Sequence, residues 1–394
     1  LVNSFKIRGS YGKVGNDQIG GERFLFLTTV NRSGQSYYFG DNQQFFQGFD
    51  ESKIGNPYVT WEVATKTNLG LDIEMLAGKL TLQLDGFKEK RDGILMQRQT
   101  IPLISGIYPW TIPYANLGKM NNKGLDALLE FKNTTTSGWF YSLRGNFTYA
   151  RNKIIENDMP VSLFPYQDAR GQSIPVDQPA GLIAIGLFKD QQEIDNSPVQ
   201  TFSTVVRPGD VKYRDVNGDG VIDTYDRVFI GHPRTPEIMF GLGGTVSFKG
   251  IDMSLFFTGA TRTSIFLEGP SMYPFSDGLG SNNIVREYFD NRWTPQNPNA
   301  EYPAVSDSYS PNNFQRSTMW MKDASYLRLR NAEVGYNFPE ALLTRIRFKG
   351  IRAFVNGINL YTWDKLKFID PESDDGTGSY PIQRSVNVGL QITF

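Results

Sequence analysis

The stretch that most constrains this chain is Arg-Ser-Val-Asn-Val-Gly-Leu-Gln-Ile-Thr-Phe, residues 384–394. Successive side chains on a strand point to opposite sides, so Val386, Val388, Leu390, Ile392 and Phe394 share one face, and Ser385, Asn387, Gly389, Gln391 and Thr393 share the other. In water, an edge strand built this way displays an apolar row beside unpaired backbone groups, which invites aggregation. A tilted strand of about 9–11 residues crosses the hydrocarbon core of a bilayer. Closing such strands into a barrel removes the edge and places the apolar face in lipid. The competing reading is a terminal strand of a soluble β-sandwich, and the rest of the chain has to decide between them.

Composition narrows the choice. The longest apolar run, Gly181 to Phe188, is far short of the roughly 20 residues a spanning helix needs, a test that barrels escape because half of each strand faces water. Aromatic residues make up 13% of the chain, with 28 Phe and 19 Tyr, which suits interfacial girdles. A net charge of −1 leaves no field to recruit nucleic acid. Cys 0 and a single His, His232, exclude disulfides, thiolate metal sites and a multi-histidine zinc centre. Leu1 to Val14 already alternates as a strand, with no secretory leader ahead of it, and the expectation is a partial chain.

Long strands around minimal turns recur. Trp61–Leu76 and Leu80–Ile94 flank Ala77-Gly78, Tyr114–Lys132 and Trp139–Asn152 flank 133–138, and alternating runs meet across Lys249-Gly250. With strands near Tyr326–Phe338, Ile351–Trp363 and the final stretch, the count comes to about ten to twelve. A short helix is expected over Pro339–Arg347, and a loop over Asp364–Tyr380 that includes Asp374–Gly378. The other connections are lopsided: about 154–236 and 262–322 form long Pro/Asn/Ser/Asp-rich excursions, and long loops in compact proteins are usually functional. Short turns at one end and long loops at the other is the pattern of outer-membrane barrels. The fold class expected is therefore all-β, a transmembrane antiparallel β-barrel with long extracellular loops.

One segment has the look of a metal site. Asp215-Val-Asn-Gly-Asp-Gly-Val-Ile-Asp-Thr-Tyr-Asp226 follows the calcium-loop order. Asp215, Asn217 and Asp219 stand at positions one, three and five, Gly220 at the sharp turn, Val221 offers its backbone carbonyl, and Asp223 and Asp226 stand at nine and twelve. Alternating hard oxygens suit Ca²⁺, here as a structural staple outside any helix pair and with Asp where the twelfth position usually has Glu. The alternative is an Asp/Asn/Gly turn cluster held by its own hydrogen bonds. His232 reads as a turn residue. Gly241–Gly244 lies within an alternating strand and is no phosphate loop, and no carboxylate pair is singled out for catalysis. Trp110, Trp293 and Trp320 sit in or beside the loops, where packing is preferred to stacking on sugars.

Several segments together resemble a known family. Asn56-Pro57 through Trp61-Glu62 and Lys66–Gly70 are similar to its strand opening. The run Gly209–Asp226, with Arg227 and Gly231-His232-Pro233, is its most characteristic segment. Lys249–Phe257, Gly357–Trp363, Asp370-Pro371-Glu372 and Tyr380-Pro381 complete the match. These resemble the C-terminal part of SusC-like (SusC/RagA) TonB-dependent outer-membrane transporters, over nearly the whole chain. The resemblance implies about half of a barrel of about 22 strands, with the N-terminal plug and the first barrel half lying outside this chain. It also implies a SusD-like surface lipoprotein as partner, energy from the TonB complex through the missing part, outer-membrane lipid around the wall, and an oligosaccharide or oligopeptide as cargo. No residue would perform covalent chemistry. Two other readings stay open here: a secreted, calcium-stapled carbohydrate-binding β protein, and a passive porin of about twelve strands.

Overall fold

The structure is a computed structural model, described over residues 2–17, 23–107, 109–174, 180–269, 272–275, 283–306, 310–346, 348–367, 369–373, 380 and 382–394. Ten strands form one antiparallel sheet, the wall, in the order Val2–Asn16, Glu62–Met75, Leu80–Gln97, Tyr114–Thr134, Phe140–Glu156, Ile238–Phe248, Ile251–Thr261, Tyr326–Asn337, Gly350–Asp364 and Ser385–Thr393. They are called the first to tenth wall strands below. Spatial order equals chain order, so each strand returns beside the last as a meander. Among the described residues the first and tenth strands are paired on one side only.

Register carries the alternation from strand to strand. Ile7 lies opposite Leu71, Leu71 opposite Leu84, Leu84 opposite Ala127, Ala127 opposite Phe147, and Phe147 opposite Phe240. On the second strand Met75, Ile73, Leu71 and Leu69 head four successive rows of this kind. They span about 20 Å at ~3.3 Å per residue, close to the apolar height of an outer-membrane barrel. Val386, Val388, Leu390 and Phe394, at 61–82% exposed, carry the same face to the tenth strand. The opposite face is polar and ionic. A one-residue slip would exchange the two faces, so this register defines which side meets lipid.

The turns also follow from local chemistry. Lys249 (φ 47°) and Gly250 (φ 85°) are both left-handed, as a two-residue hairpin turn of type I′ requires. A Cβ on Gly250 would lie 2.6 Å from the Asn337 carbonyl oxygen, so glycine answers both demands. The short connections, 76–79, 135–139, 249–250 and 338–349, lie at one end of the wall. At the same end, the helix expected over Pro339–Arg347 runs Glu340–Ile346, and Arg347 lies outside the described residues. The long connections lie at the other end, as expected.

The sequence reading treats the two longest connections as unstructured excursions, and the structure corrects this. Residues 157–237 and 262–325 contain short two-stranded pairings, such as Val211–Tyr213 with Ala184–Leu187 and Ser264–Phe266 with Met321–Asp323. Together they form a cap with two buried clusters. One gathers Leu182, Leu187, Val211, Tyr213 and Ile222. The other gathers Leu267, Met272, Tyr273, Tyr288, Tyr302 and Trp320. Of the buried apolar side chains described, only Ala64, Ile154 and Ala260 belong to wall strands. A wall facing lipid on one side and polar lumen on the other has no water-excluded centre, so the apolar core moves into the cap. Asp374–Gly378 and Pro381 lie outside the described residues.

Candidate functional site

Two arrangements concentrate polar groups: the polar side of the wall and the cap above it. On the wall, Arg8 donates to Asp72 at 2.9 and 2.8 Å and to Asp85 at 3.0 and 2.7 Å, one guanidinium bridging three strands. It can do so because Gly70 lies beneath it: a Cβ there would sit 2.6 Å from Arg8 Cζ and from Asp85 Oδ1. The same device recurs six strands on, across the seventh to ninth strands. Arg352 lies over Gly335 and pairs with both Asp252 and Glu333, and Asn356 and Asn387 extend the hydrogen bonds to the tenth strand. Arg91 bridges Glu62 on the second strand and Glu89 on its own strand. The first two clusters each hold one cation and two carboxylates, and in the third Lys66 also pairs with Glu89 at 3.6 Å, so the lumen side is hydrated and ionic. Partly exposed pairs contribute little to stability. Gly70→Ala is expected to expel the Arg8 guanidinium and lower wall stability by about 1–3 kcal/mol, read as a fall in the urea midpoint for loss of the compact band on unheated gels. An unchanged midpoint would mean that the triad adds nothing.

In the cap, buried amides stitch the two long connections together. Gln200 Nε2 donates to Asn312 Oδ1 at 2.8 Å, Val211 N to Asn313 Oδ1 at 2.8 Å, and Asn313 Nδ2 to Asp210 at 2.7 Å. Tyr213 Oη donates to the Asn312 carbonyl and Trp320 Nε1 to the Asn313 carbonyl, both at 2.6 Å. Burial raises the Asp210 carboxyl above the usual carboxylate range, against the pull of the Arg207 amide, the Asn313 side chain and the Arg207 charge. Beside it opens a cleft of about 660 Å³, lined by Phe202, Ser203, Thr204, Arg207, Asp210 and Ser306 among others. Hydroxyls of Ser203, Thr204, Ser306 and Ser310, the Arg207 and Asp210 charges and apolar walls from Val205, Pro208 and Val305 make a mixed cleft that can hold a chain of several units.

A second tie holds the connection that follows the ninth strand. Arg328, 1% exposed, donates to Thr362 Oγ1 at 2.9 Å, to Asp370 Oδ1 at 2.6 Å and to Glu372. Tyr326 Oη and Arg330 also donate to Glu372 Oε1, at 2.6 and 2.8 Å. The sequence reading places Asp370-Pro371-Glu372 in the loop Asp364–Tyr380 and in the family resemblance, and misses Arg328. No local pattern marks an arginine whose carboxylate partners lie 42 and 44 positions away.

The segment from Asp215 to Asp226 is brought together as a closed loop. Asp215 accepts from Gly218 N (2.6 Å) and Gly220 N (2.8 Å), and the buried Asp226 accepts from Val216 N (2.7 Å) and Asp223 N (2.9 Å). Asn217 accepts from Asp219 N, and Asp219 from Val221 N and Asn217 Nδ2. Asp223 caps the short turn at Tyr225 N (2.6 Å), and Ile222 anchors the loop with no exposed surface. The neighbouring Tyr166 hydroxyl donates to the Tyr225 carbonyl at 2.8 Å and is raised first by burial and then by the negative charge of Asp226, Asp215, Asp219 and Asp223. The oxygen chemistry suits Ca²⁺. In this arrangement, however, the carboxylates are turned toward backbone amides, and among the described residues no three acidic or histidine side chains converge as a ligand set. His232 is a turn residue, its amide donating to Ser264 Oγ. Trp320 and Trp293 pack within the cap, as preferred, while Trp110 is 66% exposed.

A lipid-facing apolar band, an ionic inner face and long connections at one end define the wall of an outer-membrane β-barrel. Residues 1–360 match the family described as TonB dependent receptor-like, beta-barrel, and the chain belongs to that family. Among its relatives are TonB-dependent receptor P26 of Formosa agariphila, 29% identical over 99% of this chain and 40% of that protein, and TonB-dependent receptor SusC of Bacteroides thetaiotaomicron, 26% identical over 100% and 38%. Of the solved structures, the RagAB peptide importer in its open-open state superposes with a TM-score of 0.75 at 23% identity, over 100% of this chain and 40% of that one. The SusC/RagA-type resemblance and the outer-membrane location thus hold. The chain spans about two fifths of the length of the relatives it matches.

Proposed function

We infer that this chain is the C-terminal part of a SusC-like transporter that takes up oligosaccharides across the outer membrane. A SusD-like surface lipoprotein would hand over the cargo, and the TonB complex would supply energy through the rest of the polypeptide. What carries the reading is the pairing of an ionic lumen wall with an ordered cap holding a cleft of mixed polar and apolar lining. A passive pore gains nothing from the buried amide network that shapes such a cap. Oligopeptide import is the second reading, favoured by Arg207, a cation suited to a peptide carboxylate. Calorimetry on the full-length protein with its co-purified lipoprotein separates them. Heat on adding oligosaccharides, unaffected by excess mixed peptides, is expected; heat from peptides alone would transfer the assignment, and failure to co-purify any lipoprotein would remove the partner.

A structural Ca²⁺ in the Asp215–Asp226 loop is proposed on its residue order and on the closed turn that brings Asp215 and Asp226 into one loop. The ion would recruit oxygens of Asp215, Asn217, Asp219, Asp223 and Asp226 and the Val221 carbonyl, and stiffen the cap. Chelation with EGTA is then expected to speed tryptic cleavage after Arg214 and Arg227 several-fold, with reversal by Ca²⁺ and not by Mg²⁺. Cleavage indifferent to chelation would leave the loop held by its own hydrogen bonds.

A further inference from the structure

The outward face of the wall carries a feature that transport does not use. Directly beyond the last apolar row, toward the long-connection end, Lys88 lies opposite Lys123, and Lys123 opposite Arg151. One row farther, Lys13 and Lys90 stand on either side of Thr65, and Lys153 follows across Asn121. These residues share parity with Leu84, Leu125 and Tyr149, so they point to the lipid side. No carboxylate stands in either row from the first to the fifth strand, and the next row returns to mixed charge, with Lys119 between Asp92 and Glu156.

The five lysines are exposed, and no ion pair is found for them among the described residues, whereas Arg151 pairs with the buried Glu237 at 3.2 Å. Like charges directly opposite on adjacent strands repel. A chain of net charge −1 that gathers five lysines without an ion pair beside Arg151 here, at the depth where lipid headgroups begin, has the counter-anion for those five outside itself. Long connections mark the extracellular side of such barrels, which places the belt at the outer leaflet. Its two-row height fits a layer of phosphates, and polybasic surfaces at a membrane bind anionic headgroups additively.

We propose that the belt of Lys13, Lys88, Lys90, Lys123, Arg151 and Lys153 is a binding site for the phosphorylated headgroup of an outer-leaflet glycolipid. The site rests on the wall's orientation and is independent of the cargo. The test uses full-length protein, delipidated in detergent, titrated with bisphosphorylated lipid A or its dephosphorylated form and read by native mass spectrometry. Wild-type protein is expected to retain the phosphorylated lipid at least about tenfold better, with the preference lost in 0.5 M salt and in K88Q/K90Q/K123Q/K153Q. Millimolar inorganic phosphate is expected to leave the retained lipid in place; displacement would reduce the site to one for free phosphate and overturn the lipid reading. Assembly of the variant is checked by its compact band on unheated gels, and if the quadruple variant does not assemble, K88Q/K123Q is expected to lower the preference at least about threefold. Equal retention of both lipid forms by wild type, or an unchanged preference in an assembled variant, would sink the proposal. So would lysine-dependent co-purification of an acidic protein without any phosphate preference.

Discussion

Trp320→Ala is expected to open the cap while leaving the wall assembled. Trp320 has no exposed surface, and its ring lies 5.2 Å from Tyr273, 6.0 Å from Tyr288, 5.9 Å from Phe314 and 6.1 Å from Tyr302, centroid to centroid. Emptying so large a volume costs about 3–5 kcal/mol, because the surroundings collapse only in part. The change also strips the Asn313 carbonyl of the Trp320 Nε1–H bond, and Asn313 is the residue that holds Asp210 and the Val211 amide. Damage in one buried cluster therefore passes to the other through this asparagine. The wall is spared because its strands are held by their own ladders and by lipid. Trypsin should cut after Arg214 and Arg292 at least about tenfold faster, a change that a loss of only 1.4 kcal/mol would suffice to produce, while the unheated gel band persists. If the wall fails with the cap, the two do not fold independently. Trp320→Phe, which keeps a ring and loses the N–H, is expected to cost about 1–2 kcal/mol.

Arg328→Met is the second large effect. The side chain fills a similar slot but removes the central cation from Asp370 and Glu372, leaving Arg330 to face Glu372 alone. Removing one partner of a buried ion pair costs about 3–5 kcal/mol, more than the intact pair contributes over an apolar replacement. The segment from Leu366 to Ser373 should detach from the wall, seen as faster amide exchange there and at the end of the ninth strand. Arg328→Lys should fall between, since an ammonium cannot span both carboxylates and Thr362 in one plane. High salt alone should leave the tie in place, because a buried pair is poorly screened, whereas the exposed Lys367 pairs with Glu287 and Glu301 should weaken. Exchange in Arg328→Met equal to wild type would show that Pro371 and the backbone hold the turn unaided.

How much of this was legible in the residues varies from place to place. The wall was, because strand alternation is a local property: Val386 to Phe394 states its two faces without help from any other segment. Lys249-Gly250 was readable as a turn because few residue pairs accept two left-handed conformations. The order of the Asp215–Asp226 loop was readable, and the structure closes it, though with its carboxylates on backbone amides. The cap was not. Residues 157–237 and 262–325 show no sustained period, since their apolar residues point into a shared core along irregular backbone, and nothing in Trp320 announces Tyr288 or Asn313. The ionic triads were hidden for a related reason: Arg8 and Asp85 are 77 positions apart, and Gly70 between them looks like any strand glycine until the register is known.

The sequence by itself therefore determined what each strand is, which of its faces tolerates lipid, and, through its motifs, the family. Those properties depend on the nearest few residues and on a period of two. Only the tertiary structure decided which charges meet across the wall, that the long connections form a packed cap, and that five lysines and an arginine stand in two adjoining rows. Each of these depends on register and on contacts between distant segments, set by the pairing of whole strands and not by any one of them alone.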